Sequence, residues 1–102
     1  MPQKLYMVVE HYKDAEAVYR RLWELGRMGR KGLVFVSAWF EENHERGYRL
    51  MQTHDRGLLD EWMANWKDLV DFEVSAVTTP VEAGEKLAAR IKHSTLPMDA
   101  AR

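Results

Sequence analysis

Three residues of this sequence carry chemistry that could act together: Glu10, Arg49 and Glu73. A guanidinium presents a fixed fork of donors suited to a carboxylate or carbonyl oxygen. Two carboxylates beside one guanidinium feel it unequally, so one can stay ionised while the other moves a proton. The same trio would serve equally as a buried ion-pair network that fixes strand register and adds little stability. Tyr6, Phe35, Trp39 and Met51 could wall a pocket for a small apolar or aromatic molecule, with Ser37 as a hydrogen-bond donor and Arg49 as the oxygen anchor. Ligand pockets have that mixture of apolar walls and a few placed polar groups. The competing reading makes Trp39 and its neighbours the core of a subunit interface. His11 follows Glu10 directly and is a candidate general base, or simply a polar strand end.

Other chemistries find little support. There is no cysteine, which excludes disulfides, thiolate catalysis and Cys-rich zinc sites. His11, His44, His54 and His93 include no helical pair at metal-ligand spacing, so neither a metal nor a cofactor is expected. Ser37, Ser75 and Thr53 stand in no nucleophile motif, and Gly26, Gly29 and Gly32 precede a strand-like segment, whereas a phosphate loop follows one. Fifteen basic and sixteen acidic residues nearly cancel, which argues against a nucleic-acid partner. No segment approaches the ~20 apolar residues of a membrane span. Met1-Pro2-Gln3-Lys4 shows no apolar signal-peptide run, and a cytoplasmic location is the expectation.

These side chains must be positioned by a chain of 102 residues, a usual size for one domain. Residues 4–11, 33–42, 46–54 and 70–78 are rich in β-branched and aromatic residues and read as strands. Asp14 opens a helix whose apolar face is Ala15, Val18, Leu22 and Leu25. Asp55 opens a second, with a stripe of Leu58, Leu59, Trp62, Met63, Trp66 and Leu69. Thr79-Pro80-Val81-Glu82 has the chemistry of a capping box and starts a third helix that fades near His93. The expectation is an α+β, ferredoxin-like β-α-β-β-α-β domain over residues 1–93: a four-stranded antiparallel sheet with helices on one face, an extra C-terminal helix, and a mobile tail at 94–102.

Alternation then divides each strand into two faces. The set Met7, Val9, Val34, Val36, Ala38, Phe40, Tyr48, Leu50, Phe72, Val74 and Ala76 is almost wholly apolar and is expected under the helices. The other set holds Tyr6, Val8, Glu10, Phe35, Ser37, Trp39, Arg49, Met51, Glu73 and Val77, and is expected on the bare face. Left in water, Phe35, Trp39, Met51 and Val77 would make a large apolar patch, which a second copy of the chain would cover.

The strings Tyr6-Met7-Val8-Val9-Glu10, Ser37-Ala38-Trp39, Leu50-Met51-Gln52-Thr53 and Trp66-Lys67-Asp68-Leu69-Val70-Asp71-Phe72-Glu73-Val74 occur in order. Over residues 4–82 the chain resembles a small bacterial family known as domain of unknown function 3303, within the dimeric α/β-barrel superfamily. That resemblance implies two ferredoxin-like domains packed sheet to sheet, with a pocket in each. The superfamily includes cofactor-free monooxygenases, haem-degrading enzymes, isomerases, dehydratases and stress-response proteins. The haem-degrading branch uses an Asn, Trp and His set; strand one here carries Glu10 in place of the Asn, and that activity is not carried over.

Two functions stand side by side. One is a cofactor-free enzyme of isomerase, dehydratase or monooxygenase type, acting on a small apolar or aromatic molecule. The other is a non-catalytic homodimer that binds a ligand or partner or serves in a stress response. An enclosed cavity beside the Glu10, Arg49 and Glu73 group would favour a ligand site; a closed, fully paired interface would favour the structural role.

Overall fold

Each helix starts on a side chain that satisfies its free backbone N–H groups. The computed structural model of the protein describes residues 2–92. Strand β1 (Lys4–Tyr12) leads into α1 (Ala15–Leu25), where Asp14 accepts from the Ala17 N–H at 3.2 Å. Helix α1 stops at Gly26, whose φ of 69° costs a residue with a Cβ. Strands β2 (Val34–Phe40) and β3 (Arg46–Thr53) form the hairpin, and α2 (Arg56–Ala64) begins where Asp55 accepts from the Gly57 N–H at 2.8 Å. Strand β4 (Val70–Val77) is followed by α3 (Pro80–Ile91). Thr79 Oγ1 caps α3 by accepting from the Glu82 N–H at 3.1 Å, but the capping box is not reciprocal: the Glu82 carboxylate takes the Thr78 hydroxyl at 2.6 Å. The expected mobile tail at 94–102 lies outside the described residues.

The sheet order is β2-β3-β1-β4 with every neighbouring pair antiparallel, the ferredoxin-like arrangement. Residues directly opposite in such pairs share a face. Tyr6 stands between Met51 and Ala76, Val8 between Arg49 and Val74, and Glu10 between Gly47 and Phe72. This is the face the helices cover: Val8, Met51 and Leu59 are fully buried, with Tyr6, Trp62 and Trp66 close to it. Burying each such side chain contributes roughly 1.5–3 kcal/mol.

The expected faces are therefore corrected on two of the central strands. On β1 and β3 the set with Tyr6, Val8, Glu10, Arg49 and Met51 packs under the helices, and Met7, Val9, Tyr48 and Leu50 lie on the bare side. On β4 the expectation holds, with Phe72 and Val74 inward and Asp71 and Glu73 outward. On β2 the register shifts between Phe35 and Ser37, so Val36 is an extra residue and the alternation changes phase there. Phe35, Ala38 and Phe40 face the helices; Val34, Ser37 and Trp39 face away.

The helices differ in how closely they sit. Leu59 and Trp62 seal α2 onto the sheet, and the indole N–H groups of Trp62 and Trp66 both donate to the Arg27 carbonyl, at 2.8 and 3.4 Å. Helix α1 contains no buried residue; Val18 and Leu22 touch the core. It is fastened at Arg21, whose fork donates to both Asp68 carboxylate oxygens at 2.7 Å and to the Asn65 carbonyl at 3.1 Å. The same guanidinium lies over Trp66. Helix α3 also has no buried residue, and Val81 and Leu87 are exposed.

Candidate functional site

Strand β1 carries Glu10 and Tyr12 onto the helix-covered face one after the other, because they are two residues apart. Glu10 is 4% exposed, and a carboxylate so buried must be paired. Its Oε1 accepts from the Tyr12 hydroxyl at 2.6 Å and its Oε2 from Arg49 Nε at 2.8 Å. Glycine at 47 makes this possible: it sits directly opposite Glu10, and a Cβ there would collide with the Tyr12 hydroxyl. Burial pushes the Tyr12 hydroxyl far above its ordinary value, and its bond to Glu10 raises it further, so it stays protonated and donates.

Arg49 is held as a flat plate, with Trp62 5.7 Å and Phe35 5.9 Å from its guanidinium carbon. Among the described residues, its Nε is the one nitrogen of the three with a hydrogen-bond acceptor. No buried side-chain nitrogen or oxygen among the described residues lacks a partner, so the two Nη atoms reach solvent-accessible space. Arg49 also lines a cavity of about 730 Å³ left between the loosely seated α1 and the sheet. Tyr12, Leu22, Phe40, Trp62 and Trp66 supply its walls, and Arg49 and Glu10 stand at its sheet side. The arrangement can hold an oxygen on the guanidinium edge against an aromatic wall, with a protonated hydroxyl nearby.

The residues singled out in the sequence separate into three places. Glu10 and Arg49 come together at the cavity. Tyr6 and Met51 are core residues, and Phe35 packs between Trp62 and the guanidinium groups of Arg27 and Arg49. Glu73, His11, Ser37 and Trp39 lie on the bare face; His11 Nε2 and Glu73 Oε2 are 3.1 Å apart, and Trp39 is 70% exposed. The trio Glu10, Arg49 and Glu73 is thus divided by the sheet, and the cavity is on the helix side, not on the bare side where alternation put the ligand. Sequence reasoning missed Tyr12, Phe40 and Arg27. The Tyr6, Val8, Glu10, Tyr12 alternation would have found Tyr12; nothing local points to Arg27, which arrives through the fold. Among the described residues, no group of three or more His, Asp or Glu side chains is arranged to hold a metal, and no helix is long and apolar enough to cross a membrane.

No curated protein and no solved structure matches the chain. A family profile does, over residues 4–91, which takes in every strand and helix described above. The chain belongs to that family, the domain of unknown function DUF3303.

Proposed function

We propose that this protein is a homodimeric binder of a small, mainly apolar molecule, held in each subunit beneath α1 with Arg49 as its polar anchor. The observation that carries the reading is the unpaired guanidinium edge of Arg49 at a cavity of about 730 Å³ with aromatic walls. That volume falls within the ~300–1,000 Å³ of ordinary small-molecule sites. Binding ranks above catalysis because both Glu10 oxygens are already bonded. A cofactor-free catalytic form has one support, the 2.6 Å bond from Tyr12 to Glu10. There the ionised Glu10 carboxylate takes a proton from one atom of the ligand and returns it to another, as an isomerase requires, while the Tyr12 hydroxyl and Arg49 hold the carboxylate in place.

The second copy belongs on the bare face, where Met7, Val9, Leu50 and Val77 lie beside Trp39 and Val34, which are 70% and 49% exposed. An uncovered apolar surface of this kind marks an interaction site. Sheet-to-sheet pairing there gives the dimeric α/β-barrel arrangement, and a cytoplasmic location suits a chain without cysteine.

The neutral fluorophore N-phenyl-1-naphthylamine tests the ligand site. It should brighten on binding one site per chain, and Leu22→Trp, which fills the cavity, should abolish the signal. No saturable brightening, or brightening unchanged in Leu22→Trp, sinks the reading.

A further inference from the structure

We infer that the ligand of this cavity is an aromatic monocarboxylate whose carboxylate docks on the free Nη edge of Arg49. The inference rests on the binding reading above and adds the chemical class. Its ground is the charge gathered around one ring. Phe35 carries two guanidinium groups, Arg27 at 4.9 Å and Arg49 at 5.9 Å from the ring centroid. Glu10 compensates Arg49. Arg27 has no carboxylate partner among the described residues, although its backbone is fixed by the two indole N–H bonds to its carbonyl. Around this ring two guanidinium groups therefore face one carboxylate, Glu10, which leaves a cationic side to the cavity that an anion complements.

Geometry selects the kind of anion. The Nε side of Arg49 is taken by Glu10, which leaves the Nη1/Nη2 edge, two parallel donors that match the two oxygens of a carboxylate. Trp62 and Phe35 flank the guanidinium, their ring centroids 5.7 and 5.9 Å from its carbon. Beyond this edge the wall is made of rings: Tyr12 and Phe40, 6.1 Å apart between centroids, then Trp62 and Trp66. Flat ring bodies pack against such walls in offset or edge-to-face contact. The remaining charges of the wall, Glu16, Arg20 and Glu24, are exposed on α1, so a second anionic group on the ligand would meet no buried cation.

The test compares 1-naphthoate with 1-naphthalenemethanol, each displacing N-phenyl-1-naphthylamine from the full-length protein, with naphthoate binding also read directly by tryptophan quenching. Naphthoate should bind about tenfold or more tighter than the alcohol, the size of a charge-assisted pair. Arg27→Gln, a change at an exposed residue, should weaken naphthoate several-fold and leave the alcohol unchanged. Arg49→Lys, which keeps the charge and loses the fork, should weaken naphthoate further. If acid and alcohol bind alike, or Arg27→Gln weakens both equally, the carboxylate assignment is wrong while the cavity reading stands. If the neutral probe shows no saturable binding, the cavity reading falls and this inference with it.

Discussion

Gly47 lies directly across the β1–β3 pair from Glu10, and the Tyr12 hydroxyl occupies the volume its missing Cβ would fill. Gly47→Ala should cost about 1–3 kcal/mol in urea unfolding, the usual range for overpacking. In a Tyr12→Phe background the hydroxyl is gone, so the same substitution should cost much less. Equal costs in both backgrounds would show that the methyl is accommodated elsewhere.

Tyr12→Phe by itself removes one of the two donors to a buried carboxylate. A loss of about 1–3 kcal/mol is expected, since an unsatisfied buried group bears its own desolvation. Chemical denaturation checks it; a change below a few tenths would mean that Glu10 finds water in its place.

Glu10 and Arg49 form a pair in which both side chains are nearly out of water. Arg49→Met leaves the carboxylate uncompensated and should destabilise by roughly 3–5 kcal/mol. Glu10→Gln keeps the shape and removes the charge, so Glu10→Gln/Arg49→Met should recover part of that loss. Strict additivity in this double-mutant cycle would deny the coupling.

The Arg21 fork holds the Asp68 carboxyl down at about 2, from an ordinary 3.8. A carboxyl whose affinity for protons falls on folding stabilises fully above its unfolded value and loses that contribution as pH drops through the folded one. Fastening of α1 should therefore be intact above about pH 4 and weaken toward pH 2. Tryptophan fluorescence should report the step through Trp66, which Arg21 overlies. In Arg21→Gln the step should vanish; its persistence would assign it to another group.

Trp39→Glu places a charge at the centre of the proposed subunit interface without touching the subunit's own core, because Trp39 points away from the helices. Sedimentation velocity at micromolar concentration should show wild type as a dimer and the variant shifted toward monomer, with far-UV circular dichroism unchanged. An unshifted sedimentation coefficient would place the interface elsewhere.

Much of this protein is settled by local sequence. Asp14, Asp55 and Thr79 start the helices, Gly26 ends the first, and the order of strands and helices leads to the ferredoxin-like sheet because those signals act over a few residues. Alternation likewise separates the residues of β1 into two sets, but a period of two says nothing about which set turns inward. Composition favoured Met7 and Val9 over a set containing Glu10, and the fold chose otherwise. Glu10 could enter the core because Arg49 and Tyr12 reach it there and Gly47 gives them room, partners that strand pairing supplies across the sheet. On β2 the extra residue at Val36 changes the phase, so Phe35 and Trp39 part company although their spacing put them together. The cavity itself was decided by tertiary structure alone. It exists because α1 is held at Arg21 and Asp68 without sinking its apolar face into the sheet, and no residue-by-residue pattern records how far apart two packed elements stand.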